Sequence, residues 1–436
     1  MSDLRIDPIS KPFTATITPP GSKSLTNRAL VIAAMSDGPC ELTNVLFADD
    51  TRVMLAGLSK LGFAMDVDES KQTVRITGGG GKIRSTDAEL FCGNSGTTTR
   101  FITALCALGE GSFTIDGIER MRQRPIGQLV DSLKNLGVRI DYLGQPGFPP
   151  LRVNGRGLPG GIVQFASGMS SQFLSALLMV SPYARNEIRI DLEPNQASWP
   201  YVAMTMQLMD HFHVTPELAR DPRTHQPKQI VIPRGKYKAV PYAIEPDASN
   251  ATYFLAAAAV NPGSKITIEH LGKSSLQGDI GFADVLHKMG ASLIFGKDFI
   301  TIKGPEKLEG IDIDLSGMPD TIQTLAVASI FAEGPTTIRG IHTLRVKETD
   351  RVAALSNELK KLGADVDIEQ NAMTIQPPED GKLKPAHIDT YDDHRMAMSF
   401  AVAGTRTAGV TIKEIECVNK SYPDFFRDLE KVCRGQ

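Results

Sequence analysis

Residues 28–77 read RALVIAAMSDGPCELTNVLFADDTRVMLAGLSKLGFAMDVDESKQTVRIT. This stretch begins as an apolar helix, turns at Gly38 and continues as a strand from Glu41 to Leu46. A second helix then ends at Leu61-Gly62, and two short strands follow around 63–67 and 73–77. Apolar residues at helical spacing, followed by alternating or Val/Ile-rich runs, are typical of this order of elements. We therefore predict one α/β unit in this stretch.

The same order of elements recurs roughly every 70 to 80 residues along the chain, which is the pattern of an internal repeat. Further copies begin at Arg100, Ser171, Asn250, Thr321 and Arg395. A unit of two helices and a few strands cannot bury its sheet face alone, so the copies must pack together. Six copies favour a two-domain α/β protein with three units in each domain.

The two ends of the chain indicate how the copies are divided. The sixth copy stops near 429–432, where the earlier units begin their closing strands, and the strand over 13–18 has no helix of its own. We therefore expect the N-terminal strand to complete the last unit. This predicts one domain from residues 1–20 with 241–436, and an inserted domain over 21–240 with three repeats. A duplication without a functional hinge stays an alternative.

Composition restricts the classes of function. The chain has 436 residues, 41% hydrophobic and 22% charged, and these values are ordinary for a globular protein. Its net charge of −3 gives no overall attraction to nucleic acid or to anionic membranes, so an anionic ligand needs a local group of cations. No apolar run reaches the roughly 18 residues that span a bilayer. We expect a monomer that binds neither nucleic acid nor a membrane.

Cysteine usage bears on the compartment. The five cysteines form no CxxC pair, which fits free thiols in a reducing environment. They are Cys40, Cys92, Cys106, Cys417 and Cys433. The N-terminus lacks the features of a secretory signal or a transit peptide. We expect a cytoplasmic protein, although a mature organellar form would look the same.

Groups that favour anions stand at the predicted starts of helices in five of the six units. Helix N-termini carry free N–H groups and partial positive charge, and small residues let the backbone approach an anion closely. If the helices are parallel within the stack, these ends face one cleft. The cations at these positions are Lys23, Arg28, Arg124, Lys347, Arg351, Arg395 and Lys420.

Each motif taken alone also has an ordinary structural explanation. A capped helix explains 18–24, a tight turn explains 93–100, and a helix with surface ion pairs explains 345–351. Asp320 alone would be an N-cap, and Arg120 and Arg122 a solvated basic surface. The consecutive residues Asp392, Asp393 and His394 only weakly suggest a metal, because neighbouring residues rarely converge on one ion. The shared location of the motifs is what points to a ligand.

Eight segments resemble, in order, the motifs of the 5-enolpyruvylshikimate-3-phosphate synthase family. They are GSKSLTNRA (21–29), GNSGTTTR (93–100), RQRPIGQL (122–129), SSQF (170–173), PDTIQTLA (319–326), RVKETDR (345–351), DDHRMAM (392–398) and NKSYPDFF (419–426). The resemblance covers nearly the whole chain. It implies two domains, each an inside-out α/β barrel of three βαβαββ units, which close over the substrates.

The resemblance also implies an activity and a set of site residues. The activity is transfer of the enolpyruvyl group from phosphoenolpyruvate to the 5-hydroxyl of shikimate 3-phosphate, with release of phosphate and no metal or cofactor, in the shikimate pathway to chorismate and aromatic amino acids. Implied contacts to shikimate 3-phosphate are Lys23, Ser24, Arg28, Ser170, Ser171, Gln172, Ser198, Tyr201, Asp320 and Lys347. Implied contacts to phosphoenolpyruvate are Lys23, Asn94, Gly96, Arg124, Gln172, Arg351, Arg395 and Lys420.

General acid–base work at one centre needs a carboxylate on each side. Asp320 is the candidate base for the hydroxyl, and Glu348, assisted by Lys23, is the candidate for proton transfer at C3 of phosphoenolpyruvate. Gly96 implies room for the inhibitor glyphosate beside phosphoenolpyruvate. The chain departs from several family members nearby, since Phe101 stands where they carry proline and Thr98 and Thr99 are larger or more polar.

Three other functions are weighed against this one. A sister enzyme that transfers enolpyruvyl to UDP-N-acetylglucosamine typically carries a reactive cysteine in the loop that is here 120–124, and no cysteine lies there. A binding module that only sequesters a phosphorylated metabolite would not need both Asp320 and Glu348. An enzyme acting on nucleic-acid ends is disfavoured by the net charge and by the lack of a basic stripe.

Overall fold

The computed structural model describes residues 2–168 and 170–435, and the chain divides into two compact units. The terminal unit joins the chain up to Pro20 with the chain from Glu245 onwards, and the inserted unit is Gly21–Ile244. Among the described residues, no helix combines the length and apolar character that crossing a membrane requires.

The first two strands belong to the terminal unit, and the inserted unit follows them. These strands are β1 (Leu4–Arg5) and β2 (Thr14–Ile17). The helices of the inserted unit are α1 (Lys23–Met35), α2 (Asp49–Lys60), α3 (Gly96–Cys106), α4 (Gly127–Asn135), α5 (Ser171–Val180) and α6 (Trp199–His211). Its strands are β3 (Pro39–Thr43), β4 (Ala64–Asp68), β5 (Thr73–Thr77), β6 (Asp87–Phe91), β7 (Glu110–Asp116), β8 (Arg139–Tyr142), β9 (Leu151–Arg156), β10 (Gly161–Phe165), β11 (Ile188–Leu192), β12 (Glu217–Arg220), β13 (Pro227–Ile232) and β14 (Tyr242–Ala243).

The remaining elements belong to the terminal unit. Its helices are α7 (Ala248–Val260), α8 (Phe282–Lys288), α9 (Ile322–Ser329), α10 (Arg351–Lys361), α11 (His394–Gly404) and α12 (Phe425–Cys433). Its strands are β15 (Lys265–Glu269), β16 (Ser292–Phe295), β17 (Phe299–Lys303), β18 (Leu308–Glu309), β19 (Asp312–Asp314), β20 (Ala332–Glu333), β21 (Thr336–Arg339), β22 (Asp365–Ile368), β23 (Ala372–Gln376), β24 (Ala386–Ile388) and β25 (Val410–Ile412). Short 3₁₀ helices lie at Met121–Gln123, Ser181–Tyr183, Gly278–Gly281, Pro319–Thr321, His342–Val346 and Ile415–Lys420.

The predicted repeat is visible in the strand pairing. The sheets of the inserted unit have the orders β14-β3-β5-β4, β6-β7-β9-β8 and β10-β11-β13-β12. In each of them the first pair is parallel and the other two pairs are antiparallel. The sheets β2-β15-β17-β16 and β19-β21-β23-β22 of the terminal unit follow the same pattern. The prediction of an α/β protein built from βαβαββ repeats is confirmed.

The N-terminus does add a strand to the sixth copy, but the strand over 13–18, which we expected there, joins a different copy. Strand β2 pairs in parallel with β15 of the fourth copy, whereas β1 pairs with β25 of the sixth. The strand that precedes α7 along the chain is β14, and it pairs with β3 in the inserted unit. The fourth copy therefore takes its first parallel strand from β2. For the same reason residues 241–244, which we assigned to the terminal domain, lie in the inserted unit.

Helices form the core of each unit, with the sheets outside them. Every residue of α7 is buried, as is every residue of α3 and α11. A helix that is buried on every side belongs to the interior of its unit. In the terminal unit α7, α9 and α11 pack against one another, and buried hydroxyls join them. Thr252 Oγ1 lies 3.2 Å from Thr324 Oγ1, which lies 3.4 Å from Ser399 Oγ.

We predict that the terminal unit depends on the N-terminal strand for its stability. Phe13, just before β2, is buried in the core of that unit. Phe13→Ala should lower the free energy of unfolding by about 3 to 5 kcal/mol, because it leaves a cavity in place of an aromatic ring. Urea denaturation followed by circular dichroism measures the change. Thr16→Val, at an exposed position of β2, is the matched control and should change stability by less than about 0.5 kcal/mol. Equal effects of the two substitutions would contradict the prediction.

Candidate active site

A buried arginine organises the cluster in the terminal unit. Arg351, the first residue of α10, has only 1% of its side chain exposed. Its Nε donates to Asp393 Oδ2 at 2.7 Å, and its Nη2 donates to Asp393 Oδ1 at 3.2 Å and to Glu348 Oε2 at 2.9 Å. Its Nη1 donates to Asp320 Oδ1 at 3.4 Å. Burial alone would lower the pKa of Arg351, but the charges of Asp393, Glu348 and Asp320 together raise it above its usual value.

Asp320 is held by cations on several sides. Arg395 Nη2 donates to Asp320 Oδ2 at 2.8 Å, and Lys347 Nζ lies 3.7 Å from Oδ1. Arg395 also donates to the hydroxyl of Tyr253 at 3.2 Å. The structure does not favour the alternative that Asp320 caps a helix, because α9 has Thr321 at its N-cap and no side-chain cap bond there. The Asp320 side chain is 20% exposed, so a ligand can approach it.

Glu348 lies on the other side of Arg351. Lys420, the last residue of a 3₁₀ helix, places its Nζ 3.8 Å from Glu348 Oε1. Both side chains are about nine-tenths buried. The cluster thus interleaves four cations, Lys347, Arg351, Arg395 and Lys420, with three carboxylates, Asp320, Glu348 and Asp393. Four positive charges less three negative charges leave one positive charge, which suits an anionic ligand.

The inserted unit carries a second polar cluster at the start of α1. Lys23 Nζ lies 3.4 Å from Asp50 Oδ2, and both side chains are largely buried. Arg28 is buried one turn later and donates to Thr205 Oγ1 at 2.7 Å and to Ser175 Oγ at 3.2 Å. Burial lowers the pKa of Arg28 to about 10, while nearby Tyr201 acts to raise it. Arg28 is therefore bound firmly within its own unit.

The loop before α3, residues 93–96, requires a glycine at position 96. A Cβ at Gly96, the first residue of α3, would lie 2.6 Å from Arg124 Nη2 and 2.9 Å from Arg100 Nη1. The Arg124 Nη1 atom donates to the carbonyl of Asn94 at 2.9 Å and to its Oδ1 at 3.2 Å. Gly96 thus leaves room for the guanidinium of Arg124, a residue that is only 4% exposed. Arg122, by contrast, pairs with Asp116 on the surface.

The departures from the family motif are buried in this unit. Phe101 is fully buried, and the guanidinium of Arg28 lies over its ring at 5.2 Å from the centroid. Thr98 Oγ1 accepts from Ser95 Oγ at 2.8 Å and donates to the carbonyl of Asp50 at 3.2 Å. The Thr99 hydroxyl donates to the carbonyl of Ser95 at 2.8 Å. These side chains support the start of α3.

The third repeat contributes neutral hydrogen-bonding groups. Ser170 is the N-cap of α5 and accepts from the amide of Gln172 at 3.3 Å. Gln172 Nε2 donates to Thr97 Oγ1 at 3.2 Å, so α5 is joined to α3. Ser198 has a left-handed backbone, with φ 52° and ψ 43°, at the N-cap of α6, a conformation that is costly outside glycine. Ser24, Ser171 and Tyr201 lie in the first turns of α1, α5 and α6.

The predicted residues therefore fall into one cluster in each unit. Lys23, Ser24, Arg28, Asn94, Gly96, Arg124, Ser170, Ser171, Gln172, Ser198 and Tyr201 lie in the inserted unit, and Asp320, Lys347, Glu348, Arg351, Arg395 and Lys420 lie in the terminal unit. Sequence reasoning missed Asp50 and Thr97, and considered Asp393 only as a metal ligand. In residues 2–168 and 170–435, no three His, Cys, Asp or Glu side chains are grouped to hold a metal ion.

Comparisons with known proteins agree on one family. Residues 8–429 match the family described as EPSP synthase (3-phosphoshikimate 1-carboxyvinyltransferase). Proteins named 3-phosphoshikimate 1-carboxyvinyltransferase from Shewanella pealeana and Trichormus variabilis are each 42% identical to this chain and cover 99% of it, over 100% and 99% of their own lengths. A solved structure of EPSP synthase from Acinetobacter baumannii has a TM-score of 0.81 and 26% identity, covering 99% of this chain and 98% of that one. The chain belongs to the EPSP synthase family.

Proposed function

We propose that the protein transfers the enolpyruvyl group of phosphoenolpyruvate to the 5-hydroxyl of shikimate 3-phosphate and releases inorganic phosphate. The observation that carries this proposal is the pair of carboxylates, Asp320 and Glu348, held on the same buried guanidinium of Arg351. Addition followed by elimination needs one group that takes a proton from a hydroxyl and a second group that transfers a proton to and from a carbon. Family membership supports the same reaction.

In the proposed addition step, Asp320 takes the proton of the 5-hydroxyl as its oxygen bonds to C2 of phosphoenolpyruvate. Arg395 donates to the Asp320 carboxylate and Lys347 lies beside it, so these cations hold it in place for the transfer. Glu348, assisted by Lys23, delivers a proton to C3. In the elimination step a C3 proton returns to Glu348, the C2–O bond to phosphate breaks, and the departing phosphate takes up the hydroxyl proton from Asp320.

We propose that phosphoenolpyruvate contacts cations of both clusters. These contacts are Lys23, Asn94, Gly96, Arg124, Gln172, Arg351, Arg395 and Lys420. Arginine suits carboxylate and phosphate because its planar guanidinium can donate two parallel hydrogen bonds. Fixed positive groups also stabilise the charge that develops on the departing phosphate. We propose that glyphosate binds in the same space beside Gly96.

We propose that shikimate 3-phosphate contacts mainly residues of the inserted unit. These contacts are Lys23, Ser24, Arg28, Ser170, Ser171, Gln172, Ser198 and Tyr201, with Asp320 and Lys347 from the terminal unit. Hydroxyl and amide groups at helix starts match a ligand that carries both a phosphate and ring hydroxyls. That the two domains close on these substrates stays a prediction.

We also propose that the protein is a cytoplasmic monomer. All five cysteines are free thiols, which supports a reducing compartment. Burial raises the pKa of Cys92 to about 12 and that of Cys40 to about 11, so these two thiols stay protonated at neutral pH.

The first prediction from the proposed function concerns substrate choice. The enzyme should release phosphate from phosphoenolpyruvate when shikimate 3-phosphate is present, without added metal, and should release none with UDP-N-acetylglucosamine. A phosphate assay run on both acceptors side by side measures this. Release with the sugar nucleotide alone would contradict the proposal, and binding of shikimate 3-phosphate without any release would indicate a binding module instead.

The second prediction concerns the two carboxylates. Asp320→Asn and Glu348→Gln should each lower kcat by about 10² to 10⁴, because each removes a general acid or base. Steady-state kinetics with both substrates measures the loss. Glu369→Gln removes an exposed carboxylate of the same unit and should keep wild-type turnover. Wild-type turnover in either active-site variant would overturn the role assigned to that residue.

The third prediction concerns the space at Gly96. Gly96→Ala should raise KM for phosphoenolpyruvate about tenfold, because the new Cβ displaces the Arg124 guanidinium and a charged hydrogen bond is worth roughly 1.5 kcal/mol or more. KM for shikimate 3-phosphate should change less than about twofold. The matched control is Gly127→Ala at the start of α4, where the nearest atom to the new Cβ lies 3.4 Å away. A similar rise of KM in both variants would count against the role of this space.

A further inference from the structure

Glu358 is a buried carboxylate that the proposed reaction does not use. It lies on α10, seven residues after Arg351, and its side chain has no exposed surface. Seven residues are close to two helical turns, so the two side chains leave α10 on the same face. A charged group is buried at this depth only when partners compensate it. The partners of Glu358 therefore indicate what it does.

Those partners belong mainly to one turn of the chain. Tyr391 donates its hydroxyl to Glu358 Oε1 at 2.7 Å, and the amide of Asp389 donates to Oε2 at 3.0 Å. Lys361 Nζ donates to Glu358 Oε2 at 2.6 Å and to Asp389 Oδ2 at 2.6 Å. Lys413 donates to the other oxygen of Asp389 at 2.8 Å. Glu358 thus holds the turn 389–392 against α10.

The turn 389–392 needs such an anchor. It connects β24 to α11, and it contains two successive non-glycine residues with a left-handed backbone, Tyr391 at φ 55° and Asp392 at φ 53°. This conformation is costly for residues with a side chain, and it persists where surrounding contacts enforce it. The hydrogen bond between Tyr391 and Glu358 fixes the first of these two residues.

The residue after this turn enters the active-site cluster. Asp393 caps α11, accepting from the amide of Arg395 at 2.9 Å, and both of its carboxylate oxygens accept from Arg351. Arg395 in turn donates to Asp320. Helix α10 therefore holds this segment at two points, through Arg351 at Asp393 and through Glu358 at Asp389 and Tyr391.

We propose that Glu358 is a positioning residue for the reaction. By fixing the turn 389–392, it sets Asp393 against Arg351 and Arg395 against Asp320, and so presents the arginines that bind phosphoenolpyruvate. This inference rests on the proposed function for the identity of the ligand. Its geometric part, the anchoring of the turn, stands on the contacts alone.

Glu358→Gln is the variant that tests the proposal. The carboxamide keeps the size of the side chain and can still accept from Tyr391, but its NH₂ group would face the Asp389 amide and the Lys361 ammonium, which are both donors. We expect KM for phosphoenolpyruvate to rise about tenfold and kcat to fall, while KM for shikimate 3-phosphate changes less than about twofold. Tyr391→Phe leaves the Glu358 carboxylate with its bonds to Asp389 and Lys361 and should give a smaller shift in the same direction.

A destabilised control separates positioning from general structural loss. Ile302→Ala opens a cavity in β17 of the same unit, outside α10 and the turn. It should lower the urea midpoint at least as much as Glu358→Gln and leave both KM values unchanged. An equal rise of KM for phosphoenolpyruvate in Ile302→Ala, or no rise in Glu358→Gln, would overturn the proposal.

Hydrogen exchange tests the anchoring without any substrate. Amides of the segment 389–395 should exchange about tenfold faster in Glu358→Gln than in the wild type, and Ile302→Ala should leave this segment unchanged relative to the rest of the unit. A wild type that releases no phosphate would defeat the proposed function. The exchange result would still decide the anchoring, since unchanged protection of 389–395 overturns it.

Discussion

The pairing of one buried guanidinium with three carboxylates is the interaction on which the cluster in the terminal unit depends. Arg351 contacts Asp320, Glu348 and Asp393, which come from three separate segments of the chain. Removing one partner from a buried ion pair typically costs about 3 to 5 kcal/mol, because the remaining charge is left in a poorly solvating environment. The four side chains therefore hold one another in place. This arrangement also keeps the carboxylates of Asp320 and Glu348 on one guanidinium, although their like charges repel each other.

The repeat explains why functional groups collect at helix starts. In four of the repeats a parallel pair of strands is joined through a central helix, as β6 and β7 are through α3 and β10 and β11 through α5, so the N-termini of these helices lie at corresponding ends of the repeats. Lys23, Gly96 and Ser171 are the first residues of α1, α3 and α5. The helix dipole and the free amides add to the formal charges at these positions. The repeats thus place several helix N-termini, which favour anions, beside a largely apolar core.

Local sequence patterns were sufficient for the repeats and for the residues at helix starts, because periodicity and capping act over a few neighbours. They could not supply partners that meet only in the folded chain. The ion pair of Lys23 with Asp50 joins two helices, and Asp393 binds Arg351 from 42 positions away. Strand β2 has the same alternating pattern whichever copy it joins, so its pairing with β15 depended on which sheet lacked a first strand. The sequence alone also could not show that Phe101 packs under the guanidinium of Arg28, or that Gly96 makes room for Arg124.

Strand β2 pairs with β15 rather than with β3, which follows it along the chain, and this pairing has a consequence for synthesis. The inserted unit is one continuous segment, and its last strand, β14, emerges directly after the rest of it. It can fold on the ribosome while translation continues, since domains fold as units during synthesis. Strand β2 is made before the inserted unit, yet its partner β15 appears about 250 residues later. At roughly 5 to 20 residues per second, β2 waits tens of seconds for β15 to be made. The charged and proline-containing segment just before β2, from Arg5 to Pro12, disfavours pairing with other exposed strands during that interval.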